Sequence, residues 1–148
     1  MTKKKLRIFT VGYEGITVDE LIAALRKAGV ERIIDVRALP LSRRPGFSKT
    51  PLRAALEEVG INYVHLRALG TPAEGRQAAR KGQHALLAQI YADQLELPEA
   101  IVQAAQLREL AAEKPSALLC FERDPEHCHR SLLIEAVSPD AAVEHLLA

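Results

Sequence analysis

The chain is 148 residues long, has a formal net charge of +1 and is 48% apolar. This length suits a single compact domain with its own core, so we expect one domain over residues 1–148. The nearly balanced charge excludes a general attraction to nucleic acid or to a membrane surface, and any anion-binding site must therefore be local.

Two cysteines are too few for a disulfide framework. The sequence has no signal-peptide core and no apolar run of membrane-spanning length. We therefore expect a cytoplasmic protein that makes no membrane contact and whose cysteines are free thiols or metal ligands.

The first elements are predicted to be a strand, a capped helix and a second strand. Residues 6–11 form an apolar run. Thr17 and Glu20 have the spacing of a capping box, apolar residues follow at helical intervals, and Gly29 is a typical helix end. Residues 32–36 are again apolar enough for a strand.

Further strands and helices alternate along the rest of the chain. Residues 37–47 form a long loop, after which Ser48 can cap a helix that ends at Gly60. The remaining predicted elements are a strand at 61–65, helices at 76–94 and 98–113, a strand at 117–121, a helix around 132–137 and a strand at 142–146.

This alternation predicts an α/β fold. We expect a three-layer domain with a mostly parallel sheet of four to five strands, flanked by helices. In such sheets the loops after the strands meet at the carboxyl edge, where ligands bind. Residues 12–16, 37–47, 66–75 and 122–127 should therefore surround one cleft.

The segment from Cys120 to Arg130 is the richest in reactive side chains. Cys128 and His129 could form a reactive or orienting pair, because a helix start and nearby cations favour the thiolate. The main alternative is a buried structural thiol, because cysteine is among the most buried residue types. Glu122 could transfer protons, or form a salt bridge to an arginine.

The same segment is a poor metal site. Cys128, His129 and their neighbours are adjacent in sequence, whereas structural zinc sites use two separated pairs of ligands. Only one residue separates Cys128 from Arg130, which is too short for a loop of the cysteine-phosphatase kind. We therefore expect neither a metal nor a cofactor.

Two earlier segments could contribute to ligand binding. Gly12, Tyr13 and Glu14 follow the first strand, where backbone amides could receive an anion, although a simple tight turn is an equal alternative. Asp35 closes the second strand beside Arg37, and could act as a general base, orient arginines or have a purely structural role.

The loop that follows the second strand is basic and contains an aromatic residue. Ser42, Arg43 and Phe47 lie in it, and Arg37 precedes it. Guanidinium groups bind phosphate in a bidentate manner, and an aromatic ring can stack on a nucleobase. The alternative is a solvated basic loop.

Several motifs occur together, in order, over nearly the whole chain. They are the segments 10–15, 34–37, 46–48, 69–70, 119–123 and 128–130. Together they resemble the prokaryotic domain-of-unknown-function family 488. The resemblance implies a single α/β domain and a shared site, but no activity, cofactor or substrate. The family usually has Gly after Leu69-Gly70, where this chain has Thr71-Pro72. The motif residues are Gly12, Tyr13, Glu14, Asp35, Arg37, Pro40, Ser42, Phe47, Cys120, Glu122, Cys128, His129 and Arg130.

Our leading hypothesis is an enzyme, a hydrolase or group transferase, that acts on a phosphate-bearing ligand such as a nucleotide or a nucleic-acid base. Arg37, Arg43 and Arg130 would hold the anionic groups. Tyr13 and Phe47 would flank an aromatic moiety. Asp35 or Glu122 would handle protons in the reaction.

Two alternatives remain open. The first is a non-catalytic module that binds a nucleotide or nucleic acid in the same cleft. The second is a sulfur-transfer or redox protein that uses Cys128. The helices within residues 76–113 could also form a homo-oligomer face, or could simply cover the sheet.

Overall fold

The computed structural model describes residues 6–121 and 129–146. Its elements are β1 (Arg7–Gly12), α1 (Val18–Ala28), β2 (Arg32–Asp35), α2 (Lys49–Glu58), β3 (Asn62–His65), a 3₁₀ turn (Arg67–Leu69), α3 (Ala73–Arg80), α4 (His84–Leu95), α5 (Pro98–Glu113), β4 (Ser116–Cys120), α6 (His129–Val137) and β5 (Ala142–Leu146).

Within these described ranges the strands form one five-stranded parallel sheet in the order β3-β2-β4-β1-β5. Helices α1 and α2 pack on one face, where Leu21 and Leu56 join the core. Helices α4, α5 and α6 cover the other face, where Tyr91, Leu107 and Leu133 are buried. The three-layer α/β fold predicted from the sequence is confirmed.

The core follows from the apolar character of the central strands. All residues of β2 and β4 are buried, as expected for parallel strands covered on both faces. Neighbouring residues of a strand contribute to opposite clusters: Ile33 faces α1 and α2, whereas Ile34 faces the other layer.

The ends of α1 were predicted well. The Thr17 hydroxyl accepts from the Glu20 backbone N–H (3.1 Å), and the Glu20 carboxylate accepts from the Thr17 N–H (3.0 Å). Gly29 ends the helix in the left-handed region, with a φ of 78°. Both stabilise a helix by satisfying backbone groups that the helix itself leaves unpaired.

The prediction of one continuous helix over residues 76–94 was wrong. The structure divides this stretch into α3 and α4, which begins at His84. Gly82 lies between them with a φ of +71°, a conformation that only glycine adopts readily. The break separates the arginine-bearing α3 from the sheet-covering α4.

The strand order creates a switch point between β1 and β4. The loop after β1 leads to α1 on one face of the sheet, whereas the loop after β4 leads to α6 on the other face. Ligands of open parallel sheets bind where adjacent connections diverge in this way. Here the Tyr13 and Glu14 N–H groups donate to the carbonyl oxygens of Cys120 (3.2 Å) and Phe121 (2.8 Å), so the loops after β1 and β4 run side by side.

Among the described residues, no helix has both the length and the apolar character needed to cross a bilayer. A cytoplasmic location stays a prediction. A homo-oligomer formed through the helices within residues 76–113 likewise stays a prediction. Ile101 and Val102 of α5 are exposed large apolar residues within the predicted face.

Candidate functional site

A pocket of about 630 Å³ opens at the carboxyl edge of the sheet, beside the switch point. Its size lies within the range of roughly 300–1,000 Å³ typical of small-molecule sites. The loops after β1, β2 and β4 form part of its wall, and α3 and α4 complete it. Its lining consists of Tyr13, Arg37, Ala38, Leu39, Leu41, Ser42, Arg43, Arg44, Thr71, Arg76, Ala79, Arg80, Leu87, Cys120 and Phe121.

The charge of this pocket is one-sided. Five arginines line it, and none of the described lining residues is an aspartate or a glutamate. A chain with a net charge of only +1 therefore concentrates positive charge at one cleft. The cavity is complementary to an anion, and guanidinium groups suit phosphate in particular.

Arg37 is held rigidly at the base of the pocket. Its Nε and Nη2 donate to the two Asp35 carboxylate oxygens at 2.9 and 2.7 Å, and its Nη1 donates to the Phe47 carbonyl oxygen at 2.7 Å. The Arg37 side chain is only 6% exposed and that of Asp35 is fully buried. Burial alone would lower the pKa of Arg37, but the bonded Asp35 carboxylate raises it overall.

Asp35 has both oxygens occupied. Besides the guanidinium, it accepts the Arg37 backbone N–H (3.1 Å) and the hydroxyl of Tyr63. Burial, followed by the Asp35 charge, raises the pKa of the Tyr63 hydroxyl above its usual range. Asp35 thus lies at the centre of a buried network with Arg37 and Tyr63.

Tyr63 and His65 were not predicted as part of the site. Both lie on β3, which pairs with β2 so that Asp35 is opposite His65. The His65 Nε2 lies 2.8 Å from the Arg37 carbonyl oxygen. The polar residues of this short strand were the only sequence signal for a network beside Asp35.

The other four arginines have more unused donors. Arg44 donates from Nη2 to the Ile16 carbonyl oxygen (2.5 Å), while its buried Nε has no acceptor. Arg76 donates from Nη1 to the Thr71 carbonyl oxygen (2.9 Å). Arg43 and Arg80 are exposed and make no hydrogen bond or ion pair within the described residues. The positive charge of these two side chains is thus available to a ligand.

The predicted aromatic pair lies at the pocket in an unexpected arrangement. The Tyr13 and Phe47 rings stack on each other, with centroids 4.6 Å apart and planes 12° apart. Phe47 is 1% exposed and does not line the pocket, so it supports the Tyr13 ring. Phe121, which is 44% exposed and meets Tyr13 edge-on, offers the accessible aromatic surface.

Short contacts fix the loops that carry these side chains. The Ser42 hydroxyl accepts from the Arg44 N–H, and the Ser48 hydroxyl accepts from the Ser42 N–H. A Cβ at Gly70 would lie 2.2 Å from the backbone nitrogen of Ala38, so only glycine allows these two loops to approach so closely. The pocket wall is therefore preformed.

The remaining predicted residues fall in different places. Gly12 ends β1 opposite Cys120, and Glu14 is exposed beside the pocket without lining it. Glu122 and Cys128 lie outside the described residues, and the side chains of His129 and Arg130, at the start of α6, do as well.

The expectation of two free thiols or metal ligands was wrong for Cys120. This residue, buried at the end of β4, is disulfide-bonded, so its sulfur is neither a nucleophile nor a metal ligand in this state. Over residues 6–121 and 129–146, no group of three or more His, Cys, Asp or Glu side chains could hold a metal ion.

Comparison with known proteins adds the family alone. The model of the family described as "Domain of unknown function DUF488" matches residues 17–137. No curated protein and no solved structure matches the chain significantly.

Proposed function

The chain belongs to the DUF488 family, and we propose that it binds a phosphate-bearing ligand of nucleotide size in the pocket beside the switch point. One observation carries this proposal. Five arginines and no described acidic residue line a preformed cavity of about 630 Å³. Such a lining is costly for an unliganded protein, because like charges repel one another, and a bound anion relieves that repulsion.

The arginines that line the pocket would have different roles in binding. Arg37 is neutralised by Asp35 and shapes the base of the pocket. Arg43 and Arg80 are free to move onto the phosphate from two sides, because one lies in the loop after β2 and the other at the end of α3. A small movement of Arg44 would also give its unpaired Nε an acceptor on the ligand.

The uncharged walls favour a ring on the ligand. Phe121 presents aromatic surface at the mouth of the pocket and meets the buried Tyr13 ring edge-on, and Leu41 is 70% exposed at the rim. Stacking of a base on an aromatic side chain contributes about 1–3 kcal/mol without requiring a particular base. A nucleotide, free or at the end of a strand, combines the phosphate and the ring that this cavity accommodates.

The test is a thermal-shift series with inorganic phosphate, adenosine and AMP. We expect AMP to raise Tm more than adenosine, because only AMP carries the phosphate that the arginines would bind. A ligand that binds the native state more tightly raises Tm further. The double variant Arg43→Ala/Arg80→Ala should lose this shift and keep its own Tm. Arg26→Ala, which removes an exposed arginine from α1, is the matched control and should retain the shift. No shift with AMP, or an equal shift in the double variant, would contradict the proposal.

We retain hydrolysis or group transfer as the proposed reaction. Within the described lining no carboxylate or imidazole is present, and Cys120 is in a disulfide, so we propose Glu122 or His129 as the proton-transfer group. Turnover of a bound nucleotide that is abolished by Glu122→Gln or His129→Gln would support an enzyme. Binding without turnover would favour the non-catalytic module instead.

A further inference from the structure

A second cavity, of about 540 Å³, adjoins the first and shares three residues with it. The shared residues are Ala38, Leu39 and Arg76, so the two spaces are adjacent at these residues. Each cavity by itself has the volume of a small-molecule site. A ligand that extends past Arg76 would occupy both.

The chemistry of the second cavity differs from that of the first. Its polar lining consists of Arg67, Arg76, Gln94, Glu99 and Gln103. It combines amide groups, a carboxylate and guanidinium groups, and therefore offers both donors and acceptors. This mixture suits a neutral polar moiety such as a sugar or a nucleobase, whereas the arginine-lined first cavity suits an anion.

The two glutamines are positioned by the fold. The Gln103 Oε1 accepts from the Ala68 N–H (2.8 Å), and the Gln94 Nε2 donates to the Ala68 carbonyl oxygen (2.9 Å). In each side-chain amide, one polar atom bonds to the Ala68 backbone and fixes the orientation of the group. The Gln94 Oε1 and the Gln103 Nε2 keep hydrogen-bonding capacity for a ligand, one as an acceptor and the other as a donor.

Arg76 is suited to the junction. One of its nitrogens donates to the Thr71 carbonyl oxygen, which fixes the side chain, and its other donors are unused within the described residues. A charged group of the ligand would lie here, between the two cavities. A phosphate that joins two organic groups meets this requirement, because it places one negative centre at the wall and one moiety on each side.

We infer that the ligand is a phosphate-linked dinucleoside, with its bridging phosphate in the arginine-lined cavity beside Arg76, one nucleobase against Phe121 at the mouth of that cavity and the other nucleoside in the second cavity. This inference rests on the proposed function and extends it to the substrate class. The shared chemistry could come from a free pyrophosphate-linked dinucleoside or from the terminal two units of a nucleic-acid strand.

The test compares affinities by isothermal titration calorimetry. The probes are AMP, the phosphodiester-linked dinucleotide of adenosine and diadenosine diphosphate. We expect at least one linked ligand to bind ten times more tightly than AMP or better, because the second nucleoside adds contacts without a second cost of association. The arm that gains affinity distinguishes a strand end from a free pyrophosphate-linked ligand.

Arg67→Ala serves as the site variant, because Arg67 is exposed and makes no hydrogen bond or ion pair within the described residues. It should leave Tm and AMP affinity unchanged and lower the affinity for the linked ligand by at least threefold. Arg26→Ala should change neither affinity. Gln103→Glu, which keeps the acceptor to Ala68 but removes the free donor, should act as Arg67→Ala does.

The outcomes separate the two proposals. AMP binding with no gain from either linked ligand would overturn the dinucleoside inference and leave the proposed function intact. A gain that survives both Arg67→Ala and Gln103→Glu would also overturn it, because the second nucleoside would then lie elsewhere. Failure of AMP and of both linked ligands to bind would overturn both proposals.

Discussion

Replacing Asp35 by asparagine should destabilise the protein strongly, because Asp35 is the sole counter-charge of Arg37 among the described residues. Four donors converge on its two oxygens: the Arg37 backbone N–H, the Arg37 Nε and Nη2, and the Tyr63 hydroxyl. Asparagine keeps one oxygen and turns the other acceptor into a donor. At least two of the four donors then lose their acceptor.

The magnitude follows from the burial of this pair. Arg37 would remain charged at 6% exposure without a compensating carboxylate. Breaking a buried ion pair from one side typically costs about 3–5 kcal/mol, against a total stability of about 5–15 kcal/mol. For a domain of this length, that loss corresponds to a fall in Tm of about 6–20 °C.

Urea unfolding measures this loss, with Glu57→Gln as the control. Glu57 accepts from the Arg53 Nε at 2.7 Å, a distance equal to that of the closest Asp35–Arg37 contact, but both side chains are at least half exposed. Removing this surface pair should leave the unfolding midpoint almost unchanged. The combined variant Asp35→Asn/Arg37→Gln should be less destabilised than the sum of its single variants. A loss below about 1 kcal/mol for Asp35→Asn would refute the reasoning.

Three further outcomes are expected. Burial raises the pKa of the Tyr63 and Tyr91 hydroxyls, so both groups stabilise the fold fully below pH about 10, the unfolded pKa, and this stability is lost as pH rises above it. Urea unfolding between about pH 8 and about pH 11 should show the fall in stability, and Tyr63→Phe should make that fall less steep. Gly70→Ala should lower the free energy of unfolding by at least about 1–3 kcal/mol, because its methyl would overlap the Ala38 backbone, and an unchanged midpoint would contradict this contact. The affinity for AMP should fall steeply as sodium chloride is raised from about 50 to about 500 mM, because salt screens the attraction between the exposed arginines and the phosphate. An affinity independent of salt would argue against phosphate contacts.

Much of the fold could be predicted because its signals are local. The capping box at Thr17 and the proline that begins α5 each determine a helix start through residues that are close in sequence. The apolar strands separated by helices likewise indicate a parallel sheet. The helix break at Gly82 was missed because an isolated glycine is also tolerated within helices.

The site was predicted less completely, because its geometry depends on contacts between distant segments. The sequence indicated Arg37, Arg43 and Tyr13, but not Arg44, which adjoins Arg43, nor the contribution of α3. Arg76 and Arg80 are four residues apart and therefore lie on one face of that helix, a signal that was present but unused. Phe47 was predicted to contact the ligand, because the sequence does not show that the Tyr13 ring stacks on it.

The most direct test of the central proposal is an NMR titration that follows the backbone amide and arginine side-chain signals while AMP is added. We predict that the largest shifts occur at Tyr13, Arg43, Arg76, Arg80 and Phe121, around the carboxyl edge of β1 and β4. Shifts confined to the opposite edge of the sheet, or no shifts at millimolar AMP, would contradict a phosphate-binding pocket at the switch point.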